Sequence, residues 1–163
     1  MNHVVIGVGN AYRRDDGVGL AVAARVGARV PAGVEVVGCE LEPSRLMDAW
    51  EGADAALVVD AARSGAEPGT LHRFDAGAGP VPASVFRSSS THAFGVGEAV
   101  ELARALGTLP GRLVLYGIEG GEFVAGEGLT AAVQAAVEPA ARAVLEELEQ
   151  LRRDEEEPCT SER

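Results

Sequence analysis

An apolar run near the start of the chain ends in glycine, and two adjacent acids follow it. Residues 3–8 predict a buried strand, and Gly17–Gly19 open a segment whose apolar residues recur at helical spacing, with Asp15 and Asp16 in between. A strand that turns directly into a helix is typical of parallel α/β sheets, which bind ligands beyond the carboxyl ends of their strands. The feature therefore favours an α/β fold and places two carboxylates at its ligand-binding edge.

The rest of the chain alternates strand-like and helix-like segments, which predicts a three-layer αβα sandwich with a twisted, mostly parallel five-stranded sheet. We expect the first strand to lie beside the third and the fourth to lie nearer an edge. A final helix begins after Thr130, which we expect to cap it, and Pro139 predicts a kink or a break there. The further strands are predicted at 34–38, 53–60, 70–75 and 112–118. The other helices are predicted at 18–30, at 43–50, and from residue 94 or 95 to 106.

Length and composition predict one domain over residues 1–151, followed by a charged, disordered tail over 152–163. The chain has no apolar run of the ~20 residues that a membrane span needs, and no secretory signal, so we expect a cytoplasmic protein without membrane partners. A net charge of −11 argues against nucleic acid as a partner. All 14 basic residues are arginines, which excludes Schiff-base lysines and the P-loop lysine.

The first turn also carries Gly7-x-Gly9, the beginning of a dinucleotide-binding motif. The third glycine of that motif is missing, because Tyr12 occupies its position, and the two acids beside the helix start would repel a pyrophosphate. The sequence therefore disfavours a nucleotide site.

The acid pair has two interpretations. A carboxylate at a helix N-terminus accepts backbone N–H bonds and complements the helix dipole, so one aspartate could serve as a cap. One cap needs one acid, and the second is left over for a ligand. We assign the cap of the following helix to Asp15 and the ligand role to Asp16.

Two later residues bear side chains that suit a metal site. Asp60 closes an apolar strand, where a carboxylate is costly to bury unless it is paired or coordinated. The structural alternative is a cap or a loop bond to Ser64 and the N–H groups nearby. His92 precedes a later helix, and an isolated histidine is more often structural. Because the predicted topology brings Asp16, Asp60 and His92 to one edge of the sheet, we expect them to form a site for a divalent metal such as nickel or zinc.

Several motifs together resemble the hydrogenase maturation proteases, the endopeptidases that process the large subunit of nickel–iron hydrogenases. The resemblance runs from Met1 to about Leu148. It rests on G-V-G-N at 7–10, D-D-G-V-G at 15–19, V-V-D ending at Asp60, P-G-T at 68–70, S-T-H around His92, and L-V-L-Y-G-I-E before G-L-T at 128–130.

This resemblance implies that Asp16, Asp60 and His92 are the catalytic and metal-recognition residues. It implies that the partner is the hydrogenase large subunit precursor and that nickel arrives inside this partner, or that another divalent metal takes its place. It also implies that the reaction is cleavage of a C-terminal extension. The loops at 76–91 and 119–128 would line a cleft for that extension. Two alternatives stay open at this stage: a metal-dependent hydrolase with its own metal and another substrate, and a chaperone that binds a nickel protein without cutting it.

Overall fold

The computed structural model describes residues 1–39, 43–82, 84–86 and 95–157. A short 3₁₀ turn, Arg14–Gly17, follows the first strand. The other elements are β1 (His3–Val8), α1 (Val18–Gly27), β2 (Val34–Cys39), α2 (Pro43–Trp50), β3 (Ala55–Ala62), β4 (Leu71–Asp75), α3 (Val96–Leu106), β5 (Arg112–Glu119) and α4 (Ala131–Glu156).

The five strands form one sheet in the order β2-β1-β3-β5-β4. The first four of these pair in parallel, and β4 pairs with β5 in the antiparallel sense, with Leu71 opposite Ile118 and Asp75 opposite Val114. The mostly parallel sheet, the pairing of β1 with β3 and the edge position of β4 confirm the predicted α/β fold.

Helices cover both faces of the sheet and complete the three layers. Along β3, Val58 packs with the helices α2 and α3 on one face, whereas Leu57 packs with α1 and α4 on the other. Alternate side chains of a strand point to opposite faces, so a central strand that is buried on both sides reads as a continuous apolar run. Burying each such side chain contributes about 1.5–3 kcal/mol, so burial on both faces selects apolar residues along the whole strand. This apolar run is the reason that β1 and β3 could be predicted from the sequence.

Glycines let α1 lie against the sheet. A Cβ atom at Gly19 would collide with the carbonyl oxygens of Val8 and Val59, and one at Gly7 would lie 2.6 Å from the Cβ of Ala23. The G-x-G and G-V-G spacing therefore serves close packing of helix on strand, and this packing brings the turn before α1 over the carboxyl end of β3.

Three expected details at the element ends differ in the structure. The prediction that Asp15 caps the following helix is wrong, because α1 has Gly17 at its N-cap and no side-chain cap. Thr130 occupies the N-cap position of α4 as predicted, but its hydroxyl bonds to Asp15 and not to the helix backbone. Strand β3 continues beyond Asp60 to Ala62 because β5 keeps pairing with it as far as Glu119.

The last helix is longer and more continuous than expected. It is a single helix with Pro139 inside it, not two pieces. It also continues to Glu156, past the boundary predicted at Leu151, and its last turns are tied down by a bond of 2.7 Å between His3 Nε2 and Glu155 Oε1. Residues 158–163, the rest of the predicted tail, lie outside the described residues. Among the helices of the described ranges, none is both long and apolar enough to span a membrane.

Candidate active site

The site lies where β1 and β3 separate. These two strands pair only as far as Gly7 and Val59, and Asp60 is the next residue of β3, beyond the last paired position. Asp60 stays paired on its other side, opposite Gly117 of β5. In such folds the usual binding crevice lies beyond the carboxyl ends of two neighbouring strands whose following connections run in opposite directions along the sheet. The sequence therefore placed Asp60 at the correct edge.

Asp16 reaches the same crevice through the 3₁₀ turn. Gly9 has a φ of +150°, a conformation that favours glycine, and a Cβ atom there would collide with the Asp16 carbonyl oxygen. The turn is fixed further by the Asn10 N–H, which donates to Asp16 Oδ2 at 3.1 Å. The turn packs against β3, and this contact brings Asp16 toward Asp60.

The two carboxylates influence each other. Burial raises the pKa of Asp60 well above its usual range, the charge of Asp16 raises it further, and the Ala61 N–H opposes this with a hydrogen bond of 2.8 Å. Burial also raises the pKa of Asp16, and the Asn10 N–H and nearby arginine charges offset only part of that rise. A half-buried and a buried carboxylate that repel each other gain from a cation placed between them.

The third predicted ligand, His92, lies outside the described residues. The residues on either side of that gap are at the crevice: Phe86 packs its ring beside Gly117, the β5 partner of Asp60, and Gly95 lies beside the Phe86 carbonyl. Within the described part of the chain no group of three His, Cys, Asp or Glu side chains is arranged to hold a metal. The structure thus brings Asp16 and Asp60 together, and the place of His92 in the site stays a prediction.

Asp15 points away from this pair and binds a loop. It is fully buried and accepts hydrogen bonds from the Gly121, Glu122 and Thr130 N–H groups at 2.8–2.9 Å, and from the Thr130 hydroxyl. Burial alone would raise the pKa of Asp15, but these hydrogen bonds outweigh it and the pKa is lowered. Asp15 therefore anchors the segment that links β5 to α4 beside the crevice.

Glu119, a residue that the sequence analysis did not single out, plays the same part at the end of β5. It is 2% exposed and accepts hydrogen bonds from the Ser64 N–H, the Ser64 hydroxyl and the Gly65 N–H at 2.8–2.9 Å. His72 Nε2 lies 3.1 Å from Glu119 Oε2, the oxygen to which the Ser64 hydroxyl donates. The structural alternative for Asp60 was a cap or loop bond to Ser64 and the nearby N–H groups. Ser64 bonds to Glu119 instead, whereas the Ala61 N–H does donate to Asp60.

Two arginines complete the described surroundings of the pair. Arg13 and Arg63 act on Asp16 by their charge, and both contact Phe123 of the anchored loop. The sequence analysis missed them because both belong to loops without periodicity. The available signal was spacing: Arg13 lies three residues before Asp16, and Arg63 three residues after Asp60.

Comparison with known proteins identifies the family. The family model described as hydrogenase maturation protease, HycI, matches residues 22–147. The chain belongs to the hydrogenase maturation protease family. Its members are endopeptidases, and therefore hydrolases. The matched region contains Asp60 and His92, whereas the turn with Asp16 precedes it.

Individual relatives of this protease agree with the family model. Hydrogenase expression/formation protein HoxM of Azotobacter vinelandii is 31% identical over 151 residues, which cover 89% of this chain and 71% of the relative. Hydrogenase 2 maturation protease of Escherichia coli (strain K12) is 28% identical over 148 residues, 89% of each chain. The structure of the hydrogenase maturating endopeptidase HybD from E. coli superposes with a TM-score of 0.79 at 28% identity, over 92% of this chain and 93% of that one.

Proposed function

We propose that this chain is an endopeptidase that removes a C-terminal extension from the nickel-loaded precursor of a hydrogenase large subunit. In this proposal Asp16, Asp60 and His92 contact the nickel ion that the precursor brings with it. Cleavage then depends on nickel, because only a loaded precursor carries an ion that these side chains can bind.

The observation that carries the proposal is the repulsive pair formed by Asp16 and Asp60. Both carboxylates sit in the crevice at the carboxyl edge, and for both the desolvated charged form is disfavoured. A divalent cation supplied by the substrate neutralises two like charges that the fold holds together. Carboxylate oxygens with one imidazole form a donor set that suits borderline divalent ions such as nickel.

The same geometry suits peptide hydrolysis. A cation held in the crevice supplies a Lewis acid that polarises a scissile carbonyl. The chain's own part is to orient the precursor: Asp16 and Asp60 fix the ion-bearing end, and the loop over 120–130, held by Asp15, borders the path of the extension. No serine or cysteine nucleophile is needed in this scheme.

The test is to incubate the protein with nickel-loaded and nickel-free large-subunit precursor and to measure intact masses. We expect loss of the extension from the loaded precursor alone. Equal cleavage of both forms would overturn nickel recognition. Binding of loaded precursor without any mass loss would support the chaperone alternative, and a stoichiometric metal in the purified protein would support a hydrolase with its own metal.

His92→Ala tests the third ligand. We expect a folded protein that no longer cleaves loaded precursor. His3→Gln is the matched control, because His3 starts β1 at the opposite edge of the sheet and pairs there with Glu155. Cleavage by H92A at the rate of H3Q would remove His92 from the proposed site.

A further inference from the structure

Two arginines, Arg13 and Arg63, act on Asp16 by their charge, and both contact one aromatic residue, Phe123. The Arg63 guanidinium carbon lies 4.1 Å from the centre of the Phe123 ring, and Arg13 Nη2 donates to the Phe123 carbonyl oxygen at 3.0 Å. Arg13 Nε is buried and has no hydrogen-bond partner among the described residues. Phe123 thus contacts both guanidinium groups, one through its carbonyl oxygen and one through its ring, without neutralising either. We call Arg13, Arg63 and Phe123 the arginine clip.

The charge of the clip is unusual for this protein. The chain carries 25 acidic against 14 basic residues, and its described arginines elsewhere commonly pair with carboxylates, as Arg29 does with Glu138 and Arg73 with Glu147. In the described part of the chain, neither Arg13 nor Arg63 has a carboxylate oxygen within 4.0 Å. The clip therefore keeps positive charge available beside the crevice.

The clip is also held in place before any substrate arrives. The loop that carries Phe123 is fixed on one side by Asp15, through the Gly121 and Glu122 N–H groups. Stacking of a guanidinium on an aromatic face fixes its plane, and a group that is ordered in advance loses less entropy on binding. This is a built feature of the site, not a pair of loose surface side chains.

We propose that the arginine clip binds a carboxylate of the precursor peptide, either an acidic side chain or the terminal carboxylate of the extension. A planar guanidinium matches a carboxylate in two parallel hydrogen bonds, and carboxylates are the anions that an unmodified peptide carries. The clip also offsets the repulsion that Asp16 and Asp60 exert on acidic peptide. The inference rests on the proposed function and names a part of the substrate that this function requires.

The position of Arg63 indicates a contact with the bound substrate and not with the transition state. Groups that stabilise a developing oxyanion act where water is excluded. Arg63 is exposed at the mouth of the crevice, whereas Asp60 is 7% exposed. A contact that is equally strong in the bound substrate and in the transition state changes KM and leaves kcat unaltered.

The test compares Arg63→Gln with Arg142→Gln in steady-state cleavage of nickel-loaded precursor. Arg142 is an exposed α4 residue, so its variant removes the same charge far from the crevice. We expect R63Q to raise KM about tenfold with kcat unchanged, the size of a lost charge-assisted hydrogen bond, and R142Q to leave both constants alone. Arg63→Lys should recover part of the loss.

A second arm identifies the partner group. One precursor has the acidic side chains of the extension changed to amides, and a second has its terminal carboxylate amidated. The precursor that lacks the bound carboxylate should raise the wild-type KM and abolish the difference in KM between wild type and R63Q. Arg13→Gln provides an independent variant of the clip if R63Q folds poorly. A fall in kcat at constant KM, or equal constants for R63Q and R142Q, would overturn the inference. Failure of the wild-type protein to cleave would instead contradict the proposed function.

Discussion

Glu119 and Asp60 lie on neighbouring paired strands, near the same edge of the sheet, and are both almost completely buried. Glu119 is surrounded by donors from the loop after β3 and from His72. Asp60 has the N–H of the next residue and the charge of Asp16. The fold supplies Glu119 with several hydrogen-bond donors, whereas it leaves Asp60 with one donor and a second acid that repels it. A buried acid of the first kind holds structure together, and one of the second kind is available to a ligand.

The same contrast separates two residues that are adjacent in sequence. Asp15 is saturated by backbone donors and its pKa is lowered, whereas the pKa of Asp16 is raised. The burial of a carboxylate therefore says little about its role. The number of donors that meet it decides whether hydrogen bonds outweigh the cost of burying its charge.

The sharpest test of this contrast is Asp60→Asn. We expect processing of nickel-loaded precursor to fall more than about 100-fold, because a ligand of the ion is lost. We also expect no loss of thermal stability, because the amide removes a buried charge that repels Asp16. Intact-mass assays and a thermal melt measure the two effects on the same sample.

Glu119→Gln is the matched control on the neighbouring strand. An amide nitrogen at this position would face the donors of Ser64 and Gly65 and could not accept their hydrogen bonds, so E119Q should be less stable than wild type. It should still process precursor when assayed below its melting temperature. A stable E119Q together with an unstable D60N would reverse the comparison and contradict the assignment of Asp60.

Asp15→Asn should produce the largest loss of stability. It replaces a charged acceptor that meets several buried donors, at a cost of about 3 kcal/mol in the free energy of unfolding. Urea denaturation of D15N and wild type measures the difference. A loss below about 0.5 kcal/mol would show that the 120–130 loop does not depend on this anchor.

A smaller effect is expected at Glu147, which is saturated but distant from the crevice. Hydrogen bonds from Arg73 lower the pKa of Glu147 against the effect of burial, and the Tyr116 hydroxyl adds a bond of 2.6 Å. A lowered folded-state pKa gives stability that is complete above the unfolded pKa and disappears as pH falls through the folded one. Glu147→Gln should therefore cost about 1 kcal/mol at pH 7 and progressively less below about pH 4.

Urea denaturation of E147Q and wild type across that pH range is the measurement. A difference that stays constant down to acid pH would mean that packing, and not the charge, accounts for the loss. A difference that grows on acidification would contradict the direction of the pKa shift.

Local patterns were sufficient to predict much of the fold. Apolar runs predicted β1 and β3, helical spacing predicted α1 and α3, and the alternation of the two predicted the parallel sheet and the pairing of β1 with β3. These properties depend on the period of the hydrophobic residues, which a sequence displays directly. The same pattern placed Asp16 and Asp60 at the carboxyl edge.

The hydrogen-bond environment of each acid could be read only from the folded chain. Whether an acid is saturated depends on N–H groups supplied by distant loops: Asp15 meets residues 121–130, and Glu119 meets Ser64 and Gly65. No local spacing records those contacts, so Asp15 was predicted to cap a helix when it anchors a loop, and Glu119 was not noticed. The sheet and the edge at which its acids gather could be predicted from the residue pattern alone, because periodicity is local. Long-range hydrogen bonds, which exist only once the chain has folded, separate the acids that anchor loops from the pair that the fold leaves with few donors.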